Sequence, residues 1–107
     1  MATEPPILRW IQERVACNEY LYTSHADQER RNDRLSIQDV EHVILQGSIL
    51  EEYPDDPRGP SCLIHGSTGG TPVHVVRGRN RSSWLVLITV YIPTAPKWKS
   101  PTERFAE

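Results

Sequence analysis

The sequence predicts an α+β fold, in which N-terminal helices pack on one face of an antiparallel sheet of about four strands. Two observations lead to this class. Apolar residues recur at helical spacing before residue 47, and short alternating segments bounded by Gly and Pro follow it. Helices that precede a run of strands are typical of a sheet whose helices cover one face.

The chain of 107 residues is long enough for a single hydrophobic core. Hydrophobic residues make up 37% and charged residues 24%, which favours a globular protein over a disordered one. We therefore predict one domain over 1–107, with an N-terminal helix extension over 1–19, a core over 20–93 and an extended basic tail over 94–107.

Three helices are predicted. Pro5 and Pro6 suit a first helical turn, and an apolar stripe at 7, 10, 11 and 15 predicts a helix over 5–17. Residues 19–23 form a short connection or strand. Ser24-x-x-Asp27 and Ser36-x-x-Asp39 match the capping-box pattern and predict helices over 25–34 and 37–46. We expect Gly47 to end the third helix in the left-handed conformation.

Four strands are predicted, over 48–53, 61–65, 71–77 and 83–92, with a glycine-rich loop at 66–70 between the second and third. In the last strand, alternation predicts that an apolar face meets the helices (Trp84, Val86, Ile88, Val90, Ile92). The opposite face carries Leu85, Leu87, Thr89 and Tyr91. Its polar end predicts contact with solvent or a partner.

Composition argues against several classes. No apolar run reaches the roughly 18 residues of a membrane span, and no signal peptide is recognisable, so we expect no membrane partner. Two cysteines do not make a disulfide framework, and a cytoplasmic location is the simplest expectation. Cys62-x-x-His65 lacks a second ligand pair, and its members point to opposite faces of a strand. We therefore expect no metal and no cofactor.

Charge is unevenly distributed. Residues 1–66 hold six Arg and twelve acids, whereas residues 67–107 hold six Lys or Arg and two acids. Arg77, Arg79 and Arg81 follow one strand, and Lys97 and Lys99 follow the next. We expect these five to gather at adjacent strand ends and to contact phosphates, with a solvated hairpin tip as the other possibility.

The second helix has almost no apolar residue. His25 shares one arc with Glu29 and Asp33, and Arg30 and Arg34 share the neighbouring arc. Such a helix needs ion pairs, a partner or a ligand. Either an anion lies between the two arginines, or Asp27 pairs with Arg30 and Arg31.

A second histidine belongs to the sheet. Alternation in Pro72-Val-His-Val-Val turns His74 away from Val73 and Val75, so His74 is expected beside Thr89 and Tyr91 if the two strands are neighbours.

Several segments together resemble domain-of-unknown-function family 4258. They are Thr23-Ser-His-Ala26, Ile37-x-Asp39-Val40, Tyr53-Pro-Asp-Asp56, Ser61-Cys-Leu63, Pro72-Val-His-Val-Val76 and Ile88-Thr-Val-Tyr-Ile-Pro-x-x-x-Lys97-Trp98. The resemblance covers about residues 20–104. This family is similar to the RelE-like and barnase-like (BECR) ribonuclease toxins. The resemblance implies a metal-independent RNA endonuclease, acting as the toxin of a toxin–antitoxin pair beside an antitoxin, often a zinc-finger protein.

Such an enzyme needs proton transfer and stabilisation of a charged phosphorane. Histidine suits the first because its pKa lies near ambient pH, and arginine suits the second. We therefore expect His25 and His74 to form an acid–base pair across a shallow groove that includes Thr89 or Tyr91. Arg30 or Arg34 would clamp the phosphate, and Tyr91 would stack or transfer a proton.

Three further residues are weaker candidates. Glu51 or Glu52 could replace a histidine as base, although a solvated strand edge explains both. Trp98 could stack on RNA bases, whereas Trp84 is expected in the core.

A different class of function also fits the sequence. The polar helix and the basic strand ends would equally suit a non-catalytic protein-interaction module. Net acidity favours the module, and the set of His, Arg, Thr and Tyr side chains favours the ribonuclease.

Overall fold

The computed structural model describes residues 6–95 and 97–104. The elements in chain order are α1 (Pro6–Ala16), β1 (Tyr20–Tyr22), α2 (Ser24–Asn32), α3 (Ile37–Leu45), β2 (Ser48–Tyr53), β3 (Ser61–Thr68), β4 (Thr71–Arg79), β5 (Leu85–Tyr91), β6 (Trp98–Ser100) and β7 (Glu103–Arg104). The predicted start of the first helix at Pro5 lies outside the described residues.

The main sheet has five strands in the order β1-β5-β4-β3-β2. Strands β2 to β5 form the predicted antiparallel meander. The short segment before α2 adds β1 as a parallel edge strand beside β5, so the sheet is mixed. The α+β class is therefore confirmed, with one strand more than the sequence indicated.

Two helices pack through the apolar stripes that the sequence shows. Ile11 and Val15 of α1 and Val40, Val43 and Ile44 of α3 are buried. Leu8 is also buried, although it is not in the stripe at 7, 10, 11 and 15, and Ile37, an apolar residue expected on the buried face of α3, is 40% exposed. Ser36 and Asp39 form the predicted capping box at the start of α3. Both stripes lie in one hydrophobic cluster with the helix-side residues of β3, β4 and β5.

Two predictions about helix ends were wrong. The residue that caps α2 is Thr23 rather than Ser24, because the Thr23 hydroxyl accepts a hydrogen bond from the Ala26 N–H. Gly47 does not adopt a left-handed conformation. A Cβ at this position would approach the carbonyl oxygens of Val43 and His65 to 2.6 and 2.7 Å, so glycine is required by close backbone packing.

The predicted facing of the last strand was wrong over its first half. Val76 pairs with Thr89 but the next residue, Arg77, pairs with Leu87, so Ile88 is the extra residue of a β-bulge. A bulge reverses the alternation. Leu85 and Leu87, not Trp84, Val86 and Ile88, join Val90 in the helix-side core, and Trp84 is exposed.

Strands β3 and β4 extend beyond their predicted ends. The loop expected over 66–70 shortens to a two-residue turn at Gly69 and Gly70, both of which have positive φ. Such φ values at both central residues match the hairpin turn that suits the twist of the flanking strands.

The tail was predicted to be extended, and its described part is not. Strands β6 and β7 form a small hairpin. It packs on the helix-free face of the sheet, where Trp98 is buried against His74 with ring centroids 4.4 Å apart. Residues 96 and 105–107 of the tail lie outside the described residues.

Among the helices of residues 6–95 and 97–104, none combines the length and apolarity that crossing a bilayer requires.

Candidate functional site

The polar helix α2 is held to the sheet by hydrogen bonds to the bulged part of β5. Strand β1 ends just before Thr23, and the β5 edge beyond it has no strand neighbour. The Thr23 hydroxyl donates to the Ile88 carbonyl at 3.0 Å, and the Glu29 carboxylate accepts from the Val90 N–H at 3.0 Å. The side chains of α2 thus satisfy backbone groups that would otherwise lack partners, which explains a helix with only Ala26 buried.

His25 and Glu29 form a side-chain pair on this helix. The distance from His25 Nε2 to Glu29 Oε1 is 3.3 Å, and the His25 side chain is 69% exposed. A carboxylate only accepts hydrogen bonds, so the neutral imidazole carries its proton on Nε2. Nδ1 is then the ring nitrogen with a free lone pair.

Glu29 also lines a cleft of about 370 Å³ between α2, the end of β5 and the β6–β7 hairpin. The other lining residues are Thr89, Tyr91, Ile92, Thr94, Ala95, Lys97 and Trp98. Trp98 Nε1 is buried and has no hydrogen-bond partner within the described part of the chain. The cleft therefore offers one ammonium group, that of Lys97, and two aromatic side chains, Tyr91 and Trp98, beside the His25–Glu29 pair.

His74 contacts two of the residues that line this cleft, Tyr91 and Trp98. Its Nε2 lies 2.6 Å from the Pro101 carbonyl oxygen and its Nδ1 lies 3.1 Å from the Tyr91 hydroxyl. Because the carbonyl only accepts, Nε2 bears the proton and Nδ1 accepts from Tyr91. The predicted proximity of His74 to Tyr91 is confirmed, and Thr89 lies diagonally across the same strand pair.

Burial limits what His74 can do. The residue is fully buried, and desolvation lowers the pKa of its imidazole. Burial likewise raises the pKa of the Tyr91 phenol. The structure therefore leaves only His25, of the two predicted histidines, accessible to a substrate, and it favours a role for His74 in orienting Tyr91.

The two candidate clamp residues have different environments. Arg30 lies 2.7 Å from Asp27, donates to the Leu35 carbonyl at 3.3 Å, and has a largely buried side chain. Arg31 also pairs with Asp27, at 3.1 Å. The ion-pair explanation of this helix is thus confirmed. Arg34 is exposed at a left-handed position that ends α2, as the backbone hydrogen bonds of the last turn indicate.

The five basic residues do not form one patch, and that prediction was wrong. Strands β4 and β5 are antiparallel, so Arg79 pairs with Leu85 while His74 pairs with Tyr91 at the other end of the sheet. Lys97 and Lys99 follow Tyr91 along the chain, and so the two basic groups are separated by the length of the strands.

The three arginines that follow His74 also differ from one another. Arg77 is buried at 4% exposure on the helix side of the sheet. The Arg79 guanidinium carbon lies 4.0 Å from the centre of the Trp10 ring, a cation–π contact that joins α1 to β4. Arg81 is exposed in the turn after β4.

Of the two lysines, Lys97 lines the cleft, and Lys99 lies 3.8 Å from Glu103. Lys97 is therefore the member of the basic set nearest the His25–Glu29 pair.

Glu51 is engaged elsewhere. Both of its oxygens accept from Arg104 of the hairpin at 2.7 Å, and Tyr53 also donates to it. Hydrogen bonding to Arg104 lowers the pKa of Glu51 to about 2. A carboxylate with so little affinity for protons is a poor general base, so the structure does not favour Glu51 in that role. Glu52 is exposed and lines a separate pocket.

No group of three or more metal-binding side chains is found among the described residues. Cys62 belongs to the helix-side cluster, whereas His65 contacts His74 on the helix-free face. The two therefore point to opposite sides of the sheet, as strand alternation predicts.

The fold and the site together define the class of this protein. It is an α+β chain with a polar cleft at the edge of an antiparallel meander. The chain belongs to the family described as a domain of unknown function, DUF4258, whose model matches residues 22–92. The matched region begins at the end of β1 and includes α2, α3 and strands β2 to β5, and thus the His25–Glu29 pair. No curated protein and no solved structure matches the chain.

Sequence reasoning named most of the cleft but gave no role to Glu29. The available signal was the i,i+4 spacing of His25 and Glu29, which predicts contact on a helix surface. Nothing in the local sequence indicates that Glu29 also bonds the Val90 N–H, because the two residues are 61 positions apart.

Proposed function

We propose that this protein is a metal-independent RNA endonuclease, acting as the toxin of a toxin–antitoxin pair. The observation that carries the proposal is the exposed His25 imidazole, in contact with Glu29, beside a cleft that is lined by Lys97, Tyr91 and Trp98. The resemblance of the family to RelE-like and barnase-like toxins supports the same class of activity.

In this mechanism His25 Nδ1 removes the proton from a ribose 2′-hydroxyl. The oxygen then attacks the adjacent phosphorus, and the bond to the 5′-oxygen breaks. The leaving 5′-oxygen takes a proton from solvent water, and the imidazolium later returns its proton to solvent, so that a 2′,3′-cyclic phosphate and a 5′-hydroxyl result. Glu29 contacts Nε2 of His25 and holds the ring in this orientation. Lys97 supplies positive charge for the phosphorane oxygens.

Tyr91 has a positioning role in this proposal. Its hydroxyl donates to His74, which fixes the orientation of the ring, and Tyr91 lines the cleft. A ring held in one orientation gives a base a stacking partner at low entropic cost. His74 therefore acts through Tyr91, and the role of phosphate clamp passes from Arg30 to Lys97.

The test is cleavage of an end-labelled single-stranded RNA in the presence of EDTA. We expect the wild-type protein to yield 2′,3′-cyclic phosphate ends. His25→Asn should lower kcat/KM at least about 100-fold, the usual contribution of a general base. The matched control is His42→Asn, which replaces an exposed histidine of α3 outside the cleft and should retain the wild-type rate. Equal rates for the two variants would exclude His25 as the base.

Binding to RNA gives a second readout. Lys97→Met should reduce the salt dependence of RNA affinity by about one phosphate contact, a change of about 0.7 in slope for a single strand. Arg9→Met is the charge-matched control, since Arg9 is exposed on α1 outside the cleft. An unchanged slope for Lys97→Met would remove Lys97 from the binding surface.

One observation favours the second candidate, a non-catalytic interaction module. The helix-free face of β1 and β5 carries Leu21, Val86 and Ile88, and Trp84 lies just before β5. Leu21 and Trp84 are 45% and 43% exposed. An exposed apolar surface of this kind typically binds protein. In the toxin proposal the same surface holds the antitoxin.

Expression in a bacterium separates the two candidates. A ribonuclease toxin should arrest growth, and His25→Asn should relieve the arrest. An interaction module should not arrest growth, and His25→Asn should then have no effect on growth. The free cysteines Cys17 and Cys62 fit the reducing cytoplasm in which such a toxin would act.

A further inference from the structure

A second pocket, of about 450 Å³, lies between the first turn of α1, the segment after β2 and the end of β4. Its lining residues are Ile7, Glu52, Pro54, Gly59, Pro60, Ser61, Cys62, Arg77 and Arg79, none of which lines the His25 cleft. We propose that this pocket binds a small organic anion, in which an apolar group carries one carboxylate or phosphate. The proposal goes beyond RNA cleavage and does not depend on it.

Arg77 is the residue that carries this inference. It is 4% exposed, yet among the described residues its Nε has no hydrogen-bond partner and no carboxylate forms an ion pair with its guanidinium. Its neighbour Cys62 contributes only a thiol, which burial keeps protonated by raising its pKa. A guanidinium buried without an anion is costly, and a bound anion removes that cost.

The electrostatics around the pocket are suited to an anion. Arg79 adds a second positive charge at the rim, held there by its contact with Trp10. Glu52 is the opposing carboxylate, so two guanidinium groups face one acid. Helix α1 contributes Ile7, from its first described turn, to the lining of the pocket.

The apolar lining residues indicate the chemistry of the rest of the ligand. Ile7, Pro54 and Pro60 present apolar surface opposite the arginines, and prolines hold that surface in a restricted backbone conformation. The volume is within the range of small-molecule sites and is too small for a folded partner. A ligand with an aromatic or aliphatic body and one anionic group would contact both kinds of surface.

Calorimetric titration of the full chain tests the proposal with four probes: phenyl phosphate, benzoate, inorganic phosphate and benzyl alcohol. Phenyl phosphate or benzoate should bind at least about tenfold more tightly than inorganic phosphate, which lacks the apolar group. Benzyl alcohol, which lacks the charge, should show no saturable binding. The ratio of phenyl phosphate to benzoate affinity identifies which anion the pocket prefers. Inorganic phosphate binding as tightly as phenyl phosphate would overturn the proposal.

Variants locate the binding. Arg77→Met removes the buried charge at similar length and should weaken the better probe at least tenfold, whereas Arg81→Met removes an exposed charge outside the pocket and should not. If Arg77→Met fails to fold, Pro60→Trp provides the test, because it fills the pocket from an exposed position and leaves Arg77 in place. Undiminished binding by Pro60→Trp or by folded Arg77→Met would overturn the assignment.

Discussion

The contact between Glu51 and Arg104 should tie the β6–β7 hairpin to the sheet in a way that depends on pH. Both oxygens of Glu51 accept from the guanidinium at 2.7 Å, and Arg104 also lies over the Trp98 ring, 4.4 Å from its centre. Glu51→Gln keeps the shape of the side chain and removes its charge. We expect this substitution to destabilise the protein at neutral pH and to loosen the cover over His74.

The magnitude follows from the pKa. A fall from 4.5 to about 2 sets a ceiling of about 3 kcal/mol. Solvent screens this pair, since the Arg104 and Glu51 side chains are 38% and 27% exposed. Exposed ion pairs contribute about 0.2–1 kcal/mol and bidentate ones more, so about 1–2 kcal/mol is the expected loss for Glu51→Gln.

The sign of the pH dependence is set by the lowered pKa. The Glu51 carboxylate binds a proton less tightly in the folded state than in the unfolded state. The ion pair therefore stabilises the folded state fully above pH 4.5. It is lost as pH falls from 4.5 toward 2. Urea unfolding, followed by circular dichroism at several pH values, measures the difference between wild type and Glu51→Gln. The matched control is Glu13→Gln, an exposed acid of α1. A difference that stays constant across this range, or is absent at pH 7, would refute the reasoning.

Two further predictions concern His74 and Gly66. Burial lowers the pKa of the His74 imidazole, so the contribution of His74 to stability should be present above pH 6.5 and be lost as pH falls through the folded-state pKa. Titration of the histidines by NMR should give a pKa below 6.5 for His74. A normal or raised pKa would contradict the burial argument. Gly66→Ala should destabilise by at least about 2 kcal/mol in urea unfolding, because the added Cβ would overlap the Val43 carbonyl. Gly69→Ala is the control, because its Cβ would meet no neighbour and only the positive φ disfavours it. It should lower the free energy of unfolding by about 1 kcal/mol. Equal losses of stability for the two variants would rule out the overlap at Gly66.

The parts of the fold that local sequence determines were predicted well. Ser36 and Asp39 are three residues apart and cap α3 as their pattern indicates. Helical periodicity also predicts most of the buried residues of α1 and α3. It does not predict that Ile37 is 40% exposed or that Leu8 is buried. His74 was placed beside Tyr91 because strand alternation and an antiparallel neighbour sufficed to predict it.

The parts that depend on long-range contacts were not predictable in this way. The bulge at Ile88 reverses the faces of β5, and nothing in an unbroken apolar strand marks the extra residue. Glu51 and Arg104 meet across 53 positions, so a tail rich in Pro and Lys was interpreted as extended. The expected basic patch failed for a simpler reason: antiparallel strands bring the end of one beside the start of the next.

The bulge also explains why the candidate site lies where it does. Without the extra residue, strict alternation would place Thr89 and Tyr91 on the same side as Leu85 and Leu87, under the helices. The bulge turns both toward the helix-free face, where His74 orients Tyr91. Strand β1 ends before this part of β5, so the Ile88 carbonyl and the Val90 N–H are left for Thr23 and Glu29 to bond. Glu29 also contacts His25, so the bulge sets the side of the cleft that the sheet forms, and the end of β1 sets the side that α2 forms.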